Sequence, residues 1–448
     1  MPFTAGRVSF NRSLVQASAS SAAPVRTIGE DALERLNDNA FTATDLGVPL
    51  ETEAGWTTAE HLLDTRFTHD KVVYDSGGLG LLGLRIDTNK APAELKRALR
   101  AQHEQALSRD NPSGFASRAQ KAEAKQAAEH ELNERLAAGE FRKSSMSEVL
   151  WDVPGRTVLS AAGSNKVLEA LAERFRATFD ASLTAASTGA LGYQHLASKG
   201  RERDFEDLKP SAFTAAPAGA SSSEWADADE PSTPDVGWAR SSGEPRDFLG
   251  NEMLIWLWKT IDQHEGLLEL ADPDDASKAA RLAVAFDTSL ELECAWGVTG
   301  KLSIREHAGG LAAARAAEAA EALSLGKWPR KVGLIVADNS AGEEAGQVWS
   351  LTLQADRWLI SGCALPTTEE EFADARAERE WRLSRVVRID RLLLAVYHHF
   401  LDLRTSAAWG EERESIRRWI KDHRARRVRG LGKAGVVEQK PAPLRVGA

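Results

Sequence analysis

Apolar and polar residues alternate with period two over VSFNRSLV (8–15), which predicts a half-buried strand. IGEDALERLNDNAF (28–41) then places Leu33, Leu36 and Phe41 at roughly helical spacing. KVVYD (71–75) and LLGLRID (81–87) predict a hairpin turning at Ser76, Gly77 and Gly78. Pro92 stands where helices start, and residues 91–107 predict a helix with Leu95, Leu99 and Leu107 on its apolar stripe. A second helix, over 116–138, is rich in Ala, Glu, Lys and Gln and has few large apolar residues, so it is expected to project into solvent or against a partner. VLWDV and RTVLSAA (149–162) predict another hairpin, and 165–179 a further amphipathic helix.

Beyond residue 247 the pattern resumes. FLGNEMLIWLWKTI (248–261) is apolar almost all round at its centre, as a core helix is. RLAVAF, SLELECAW and KLSIRE, within 281–306, read as three consecutive strands with a turn at Gly297 to Gly300, and KVGLIVAD with VWSLTLQ (331–354) adds two more. Thr367 and Glu370 form a capping-box pattern opening a helix over 367–404, apolar at Phe372, Val386, Ile389, Leu393, Tyr397 and Phe400. The expected fold class is α+β, with mixed or antiparallel sheets and long flanking helices. No repeat of fixed period interrupts it.

Composition divides this pattern. Residues 204–247 hold 10 acids against 3 bases in a Ser, Ala, Pro and Gly-rich stretch, which reads as a mobile linker. Residues 413–448 hold 11 Lys or Arg against 3 acids, and read as a frayed basic tail. The expected organisation is an N-terminal α/β region (1–90), a charged helical projection (91–143), a hairpin plus helix (144–203), the acidic linker (204–247), an antiparallel sheet with a long closing helix (248–406) and the tail (407–448). Across all 448 residues, 42% hydrophobic and 27% charged content excludes collagen-like, purely coiled-coil and wholly disordered chains. The formal charge of -10 means that any affinity for nucleic acid must come from local clustering. Cys294 and Cys363 are too few for a disulfide framework and suit a reducing cytosol. MPFTAGRVSFNRSLVQ lacks the apolar core of a signal peptide, and MLIWLW (253–258) is far too short to span a membrane, so a cytoplasmic location is expected.

Catalytic motifs are weak. Gly78, Gly80 and Gly83 spell G-x-G-x-x-G after an apolar strand, but LLGLRID is strand-like where a pyrophosphate site needs a helix N-terminus, so a glycine-softened hairpin is the reading. His398 and His399 point about 100° apart on a helix, so only one can share a face with Asp402, and neither HExxH nor a CxxC pair is present. No G-x-S-x-G turn and no His beside Cys294 supports nucleophilic catalysis. Glu369 and Glu371 read as acids favoured at a helix N-terminus. The expectation is a protein that is not an enzyme, with no cofactor and no metal.

Basic residues cluster against the trend of the chain. Between Lys90 and Lys125 stand 8 bases against 4 acids; Lys96 and Arg100 are i and i+4 on one predicted helix, and Lys121 and Lys125 repeat the relation on the next. With Arg97, Arg118, Arg142 and Lys143 they could track a phosphate backbone, which demands positive charge and donors but no base-reading group. The alternative is a solvated face with Glu94, Glu104 and Glu123 as salt-bridge partners. Arg382, Arg385, Arg388 and Arg391 recur every third residue and drift around their helix, while RRWIKDHRARRVRG (417–430), with Arg424, Arg426 and Arg427, is either a disordered arm for polyanions or a solubilising tail. No helix-turn-helix, zinc-finger or RNP signature offers sequence-specific readout.

Taken in order, several segments resemble the RdgC family of recombination-associated, nucleoid-type DNA-binding proteins. They are the first strand, the helix ending in Ala40, Phe41 and Thr42, the Gly55-Trp56 pair, Pro92, Lys96, Ala98 and Leu99, and the charged helix that follows. Further along come Arg142 and Lys143, the Trp151-Asp152 strand, NKVLEALAERFRATF, ARLAVAFD and RIDRLLLAVYHHFLDLR. The resemblance implies a ring-shaped homodimer whose basic lining encloses double-stranded DNA without sequence preference and limits the access of a RecA-type recombinase. It carries over to Lys96, Arg142 and Lys143; Lys121, Lys125 and the C-terminal arginines rest on charge clustering. Two other function classes stay open: an interaction factor for recombination or replication proteins that touches DNA little, and a metal-dependent nucleic-acid enzyme.

Overall fold

The computed structural model describes residues 3–17, 25–43, 51–109, 111–112, 114–161, 163–220, 223, 233–298, 300–305, 313–340, 346–369 and 371–431. These form thirteen strands and twelve α-helices in two compact units, Val15–Thr184 on the one hand and Met1–Leu14 with Ala185–Ala448 on the other. The class is α+β and the ladders that set its sheets are antiparallel. Strand β1 (Val8–Ala17) crosses the division.

The unit Val15–Thr184 runs α1 (Glu30–Asp38), β2 (Thr52–Thr58), α2 (His69–Val72), β3 (Val73–Tyr74), β4 (Leu79–Asn89), α3 (Ala93–Ser108), α4 (Arg118–Ala137), β5 (Arg142–Asp152), β6 (Thr157–Ser160) and α5 (Asn165–Phe179), with β7 (Ala181–Ala185) closing it. Strands follow the order β2-β4-β5-β6, and β3 pairs with the first residues of β4. Leu171, Phe175 and Phe179 recur every fourth residue on α5, and this stripe packs against the sheet. Trp151 meets Phe175 and Phe179 at ring separations of 5.1 and 4.6 Å, and Trp56 Nε1 donates to Thr178 Oγ1 at 2.8 Å. Each buried indole is thus packed, and that of Trp56 is also hydrogen-bonded. Gly55 is required by its neighbour, because a Cβ there would lie 2.6 Å from the Cα of Phe41. The G-x-G-x-x-G run has a packing role as well. Gly80 and Gly83 lie inside β4, where a Cβ would strike Ile28 or Thr57, and no helix N-terminus follows them.

The other unit contains α6 (Thr188–Ala197), α7 (Glu202–Glu206), α8 (Gly237–Ser242), α9 (Phe248–His264), β8 (Leu267–Ala271), β9 (Ala279–Cys294), β10 (Lys301–Arg305), α10 (Ala317–Ser324), β11 (Lys327–Asp338), β12 (Gln347–Gln354), β13 (Leu359–Ala364), α11 (Ala375–Arg404) and α12 (Trp409–Leu431). Its strand order is β10-β9-β11-β12-β13-β1, with β8 on the first half of β9. Every residue of α9 from Phe248 to Thr260 is buried, as the all-round apolar pattern requires. Polar groups on it are satisfied inside: Glu252 takes Arg404 Nε at 2.7 Å, and Asn251 takes Trp238 Nε1 at 2.9 Å.

Four expectations are corrected. SLELECAW and RLAVAF form one 16-residue strand, β9, because β8 and β10 pair with its successive halves and leave no reason to turn. The closing helix begins at Ala375, where Asp374 Oδ1 accepts from Ala377 N at 2.8 Å; Thr367 lies before the helix, and Glu370 lies outside the described residues. The described flanks of the acidic 204–247 stretch are packed, with Phe205, Leu208, Phe213, Val236 and Trp238 buried, and the units divide elsewhere. Residues 409–426 of the expected frayed tail belong to α12, anchored by buried Trp409, Ile416, Trp419 and Ile420; residues 432–448 lie outside the described set. Among the described residues no helix is long and apolar enough to cross a membrane.

Helix α9 ends through two left-handed residues, Glu265 (φ 57°) and Gly266 (φ 69°), and a Cβ at 266 would collide with the carbonyl oxygen of Val284. Gly200 has the same backbone (φ 68°) but open space around it. Gly266→Ala is therefore expected to cost about 3 kcal/mol or more and Gly200→Ala about 1 kcal/mol, since only the first adds overpacking to the left-handed penalty. Urea midpoints of the two variants check this, and equal losses would contradict it.

Candidate nucleic-acid interface

Helices α3 and α4 pack as an antiparallel hairpin between β4 and β5. Its apolar contact is small and lies mostly towards the root, where Leu99, Ala128 and Leu132 are buried against Ala91, Leu95, Leu136 and Phe141, with Ala124 buried further out. Asn89 Nδ2 ties β4 to the carbonyl of Leu136 at 2.8 Å. Towards the tip the join becomes polar: His103 Nε2 contacts Glu131 Oε2 at 3.1 Å, and Gln120 Nε2 donates to the Leu107 carbonyl at 2.8 Å. The capping box that opens α4 is formed by Ser117 and Gln120. Few large apolar residues means little to bury, so most of both helices faces solvent.

The predicted basic residues fall into three groups. Those of α3 are compensated. Lys96 reaches Glu129 across the hairpin at 3.6 Å, Arg97 pairs with Glu94 at 2.8 Å, and Arg100 with Glu104 at 2.9 Å. Glu94 and Glu104 thus stand where the salt-bridge alternative puts them, Glu129 rather than Glu123 meets Lys96, and all three cations stay at least half exposed. Arg142 is gripped by Glu53 and, at 3.1 Å, by Asp87 Oδ2, at the root of the hairpin.

The second group, on α12, meets acids of other helices. Arg424 holds Glu321 at 2.5 Å, Arg426 holds Asp262 at 2.6 Å, and the side chain of Arg427 lies outside the described residues. The arginines of α11 behave alike: Arg388 spans Asp272, Asp274 and Asp338 at 2.6 to 2.8 Å, and Arg382 donates to the carbonyls of Phe3 and Gly6 at 3.3 and 2.9 Å.

The third group differs. Arg118, Lys121 and Lys125 are exposed, and among the described residues their side chains enter no hydrogen bond or ion pair. At i, i+3 and i+7 they fall within about 60° of one another and span about 10 Å of α4. The next position on that stripe is Glu129, whose charge Lys96 already offsets. Lys143 is likewise exposed and without an ion pair, but it stands at the root, about three helical turns from Lys125. The structure thus brings together three of the eleven predicted residues. Phe115, 79% exposed in the turn before Arg118, was not singled out by the sequence pattern, because a lone aromatic in a polar turn has no periodicity.

The histidines resolve plainly. Asp402 accepts from Lys199 Nζ at 2.7 Å and meets His195 Nε2, from α6, at 3.0 Å, and the His195 ring stacks on His398 at 3.9 Å between ring centres. Burial, then the charges of His195 and Arg12, push the His398 imidazole down to about 3. Cys363 is buried and its thiol is pushed up to about 12. Among the described residues no group of three or more His, Cys, Asp or Glu is placed to hold a metal ion. No protein-family model matches this sequence, and no curated protein sequence matches it.

Asp87, 2% exposed, underpins the hairpin's root. Burial pushes its carboxyl up, but hydrogen bonds from Arg85 (2.8 and 2.7 Å) and Ser144, with the charges of Arg85 and Arg142, hold it below the ordinary range. A depressed carboxylate stabilises the fold above its unfolded pKa of about 3.9 and loses that contribution as pH falls through the folded value. Asp87→Asn is expected to cost about 2–4 kcal/mol near neutral pH and to make acid destabilisation below about pH 4 shallower. Denaturation midpoints from neutral to acid pH read both effects; an unchanged acid slope would contradict them.

Proposed function

We propose that this chain binds double-stranded DNA without sequence preference, through the basic face of α4. The observation that carries the reading is the stripe of Arg118, Lys121 and Lys125, three exposed cations with no ion pair among the described residues, in a chain of net charge -10. Phosphate recognition asks for positive charge and donors at a helix surface, and successive phosphates of a strand rise about 3.4 Å each, so a stripe of about 10 Å can meet several. The stripe belongs to no groove-reading motif, so its Arg and Lys side chains are assigned to phosphates rather than to base edges. An acidic remainder is compatible with this, because a local field rather than net charge steers a polyanion.

The resemblance to the RdgC family supports the rest of the proposal: a homodimer, in a ring-like assembly around duplex DNA, that modulates homologous recombination by limiting a RecA-type recombinase. In that role the protein is nucleoid-associated in the cytoplasm and performs no chemistry of its own.

Replacing Arg118, Lys121 and Lys125 together by Ala is expected to weaken binding about equally on unrelated duplexes and to lower the slope of log affinity against log salt by about 2.7, or about 0.9 per lost phosphate contact. Replacing Lys96, Arg97 and Arg100 removes cations already offset by acids and is expected to change the slope by less than about 1. Fluorescence anisotropy over a salt series distinguishes them. The reverse ranking would move the interface to α3.

A further inference from the structure

Phe115 presents an exposed ring from a turn whose backbone is tied to both helices. Asn111 Nδ2 donates to the Phe115 carbonyl at 2.8 Å and to Gln120 Oε1 at 2.7 Å, and Gln120 Nε2 returns to Asn111 Oδ1 at 3.2 Å. Gly114 supplies the left-handed residue (φ 70°) that turns the chain just before the ring. The tip, Arg109 to Arg118, carries two arginines and one aspartate, and both arginines are exposed. Phe115 therefore stands at the end of the basic stripe, three residues before Arg118.

We propose that Phe115 is a stacking platform for an unstacked base, so that the hairpin prefers DNA at a gap or mismatch over an intact duplex. The proposal rests on the DNA-binding reading of α4 and assigns its substrate class. Stacking of one base on an aromatic side chain contributes roughly 5- to 150-fold to binding. Opening an intact stack to admit a ring costs a comparable factor, and least where the base is already unpaired or mismatched. One ring therefore gains little on intact duplex and most of its full factor where the stack is already open. The cations of α4 supply the sequence-independent grip that places the tip against the backbone.

The test uses the full chain and two duplexes of about 30 base pairs, one intact and one with a single-nucleotide gap bordered by 2-aminopurine, over a salt series from about 50 to 200 mM. Wild-type protein is expected to favour the gapped duplex by roughly 5-fold or more and to quench the 2-aminopurine. Phe115→Ala, at an exposed position, is expected to lose the preference and the quench while keeping its affinity for intact duplex and the salt slope. Phe115→Trp is expected to retain both. Equal wild-type affinity for the two duplexes with a steep salt slope, or a preference that survives Phe115→Ala, overturns the stacking role and leaves backbone binding standing. No binding to either duplex at about 50 mM salt overturns the DNA-binding reading and this proposal with it.

Discussion

Pairing of basic side chains with an excess of carboxylates governs this molecule. Acids outnumber bases by 66 to 56, and an Arg or Lys that folds beside an Asp or Glu contributes to the fold rather than to an external field. Arg12 is buried against Asp390, Arg330 bridges Glu293 and Asp356, and Arg388 gathers three aspartates. Removing one partner of such a buried pair leaves an uncompensated charge, so these arginines are committed to the fold. On α4 the balance differs. Arg118, Lys121 and Lys125 share a face that carries a single acid, Glu129, itself matched by Lys96.

The hairpin that bears them is stabilised unevenly. Its apolar contacts are concentrated at the root, and its outer end is held by amide hydrogen bonds among Asn111, Gln120 and the Leu107 carbonyl. That division suits an element which must project: apolar packing fixes the base, while the polar join lets the rest stay in water without an apolar seam exposed. Asp87 and Glu53, by holding Arg142 and Arg85 at the base, set where the two helices leave the sheet.

Much of the hairpin and the sheet beside it was legible in the sequence. Residues 165–179 and 91–107 carry strong helical periodicity and correspond closely to α5 and α3, and the Ser76 to Gly78 turn is where β3 and β4 meet. Less was legible where the signal is short or non-local. LLELA is too brief to read as β8, and the packed flanks of the acidic stretch depend on scattered aromatics such as Phe213 and Trp238, which find partners only in the fold. Ion pairs were the largest gap. Arg142 meets Glu53 across 89 positions of sequence and Arg424 meets Glu321 across 103, so charge clustering along the chain overstated how many cations have no acid beside them. Spacing alone did mark Lys121 and Lys125 as neighbours on one face, since i and i+4 relations need only the helix itself.

The central claim is that α4 engages the phosphate backbone and not the bases. Its most direct test is the anisotropy of the unmodified protein on two unrelated intact duplexes of about 30 base pairs, each followed from about 50 to 200 mM salt. The account predicts equal affinities and one steep, shared dependence on salt. Affinities that differ strongly between the two sequences, or binding that is absent at the lowest salt, would contradict it.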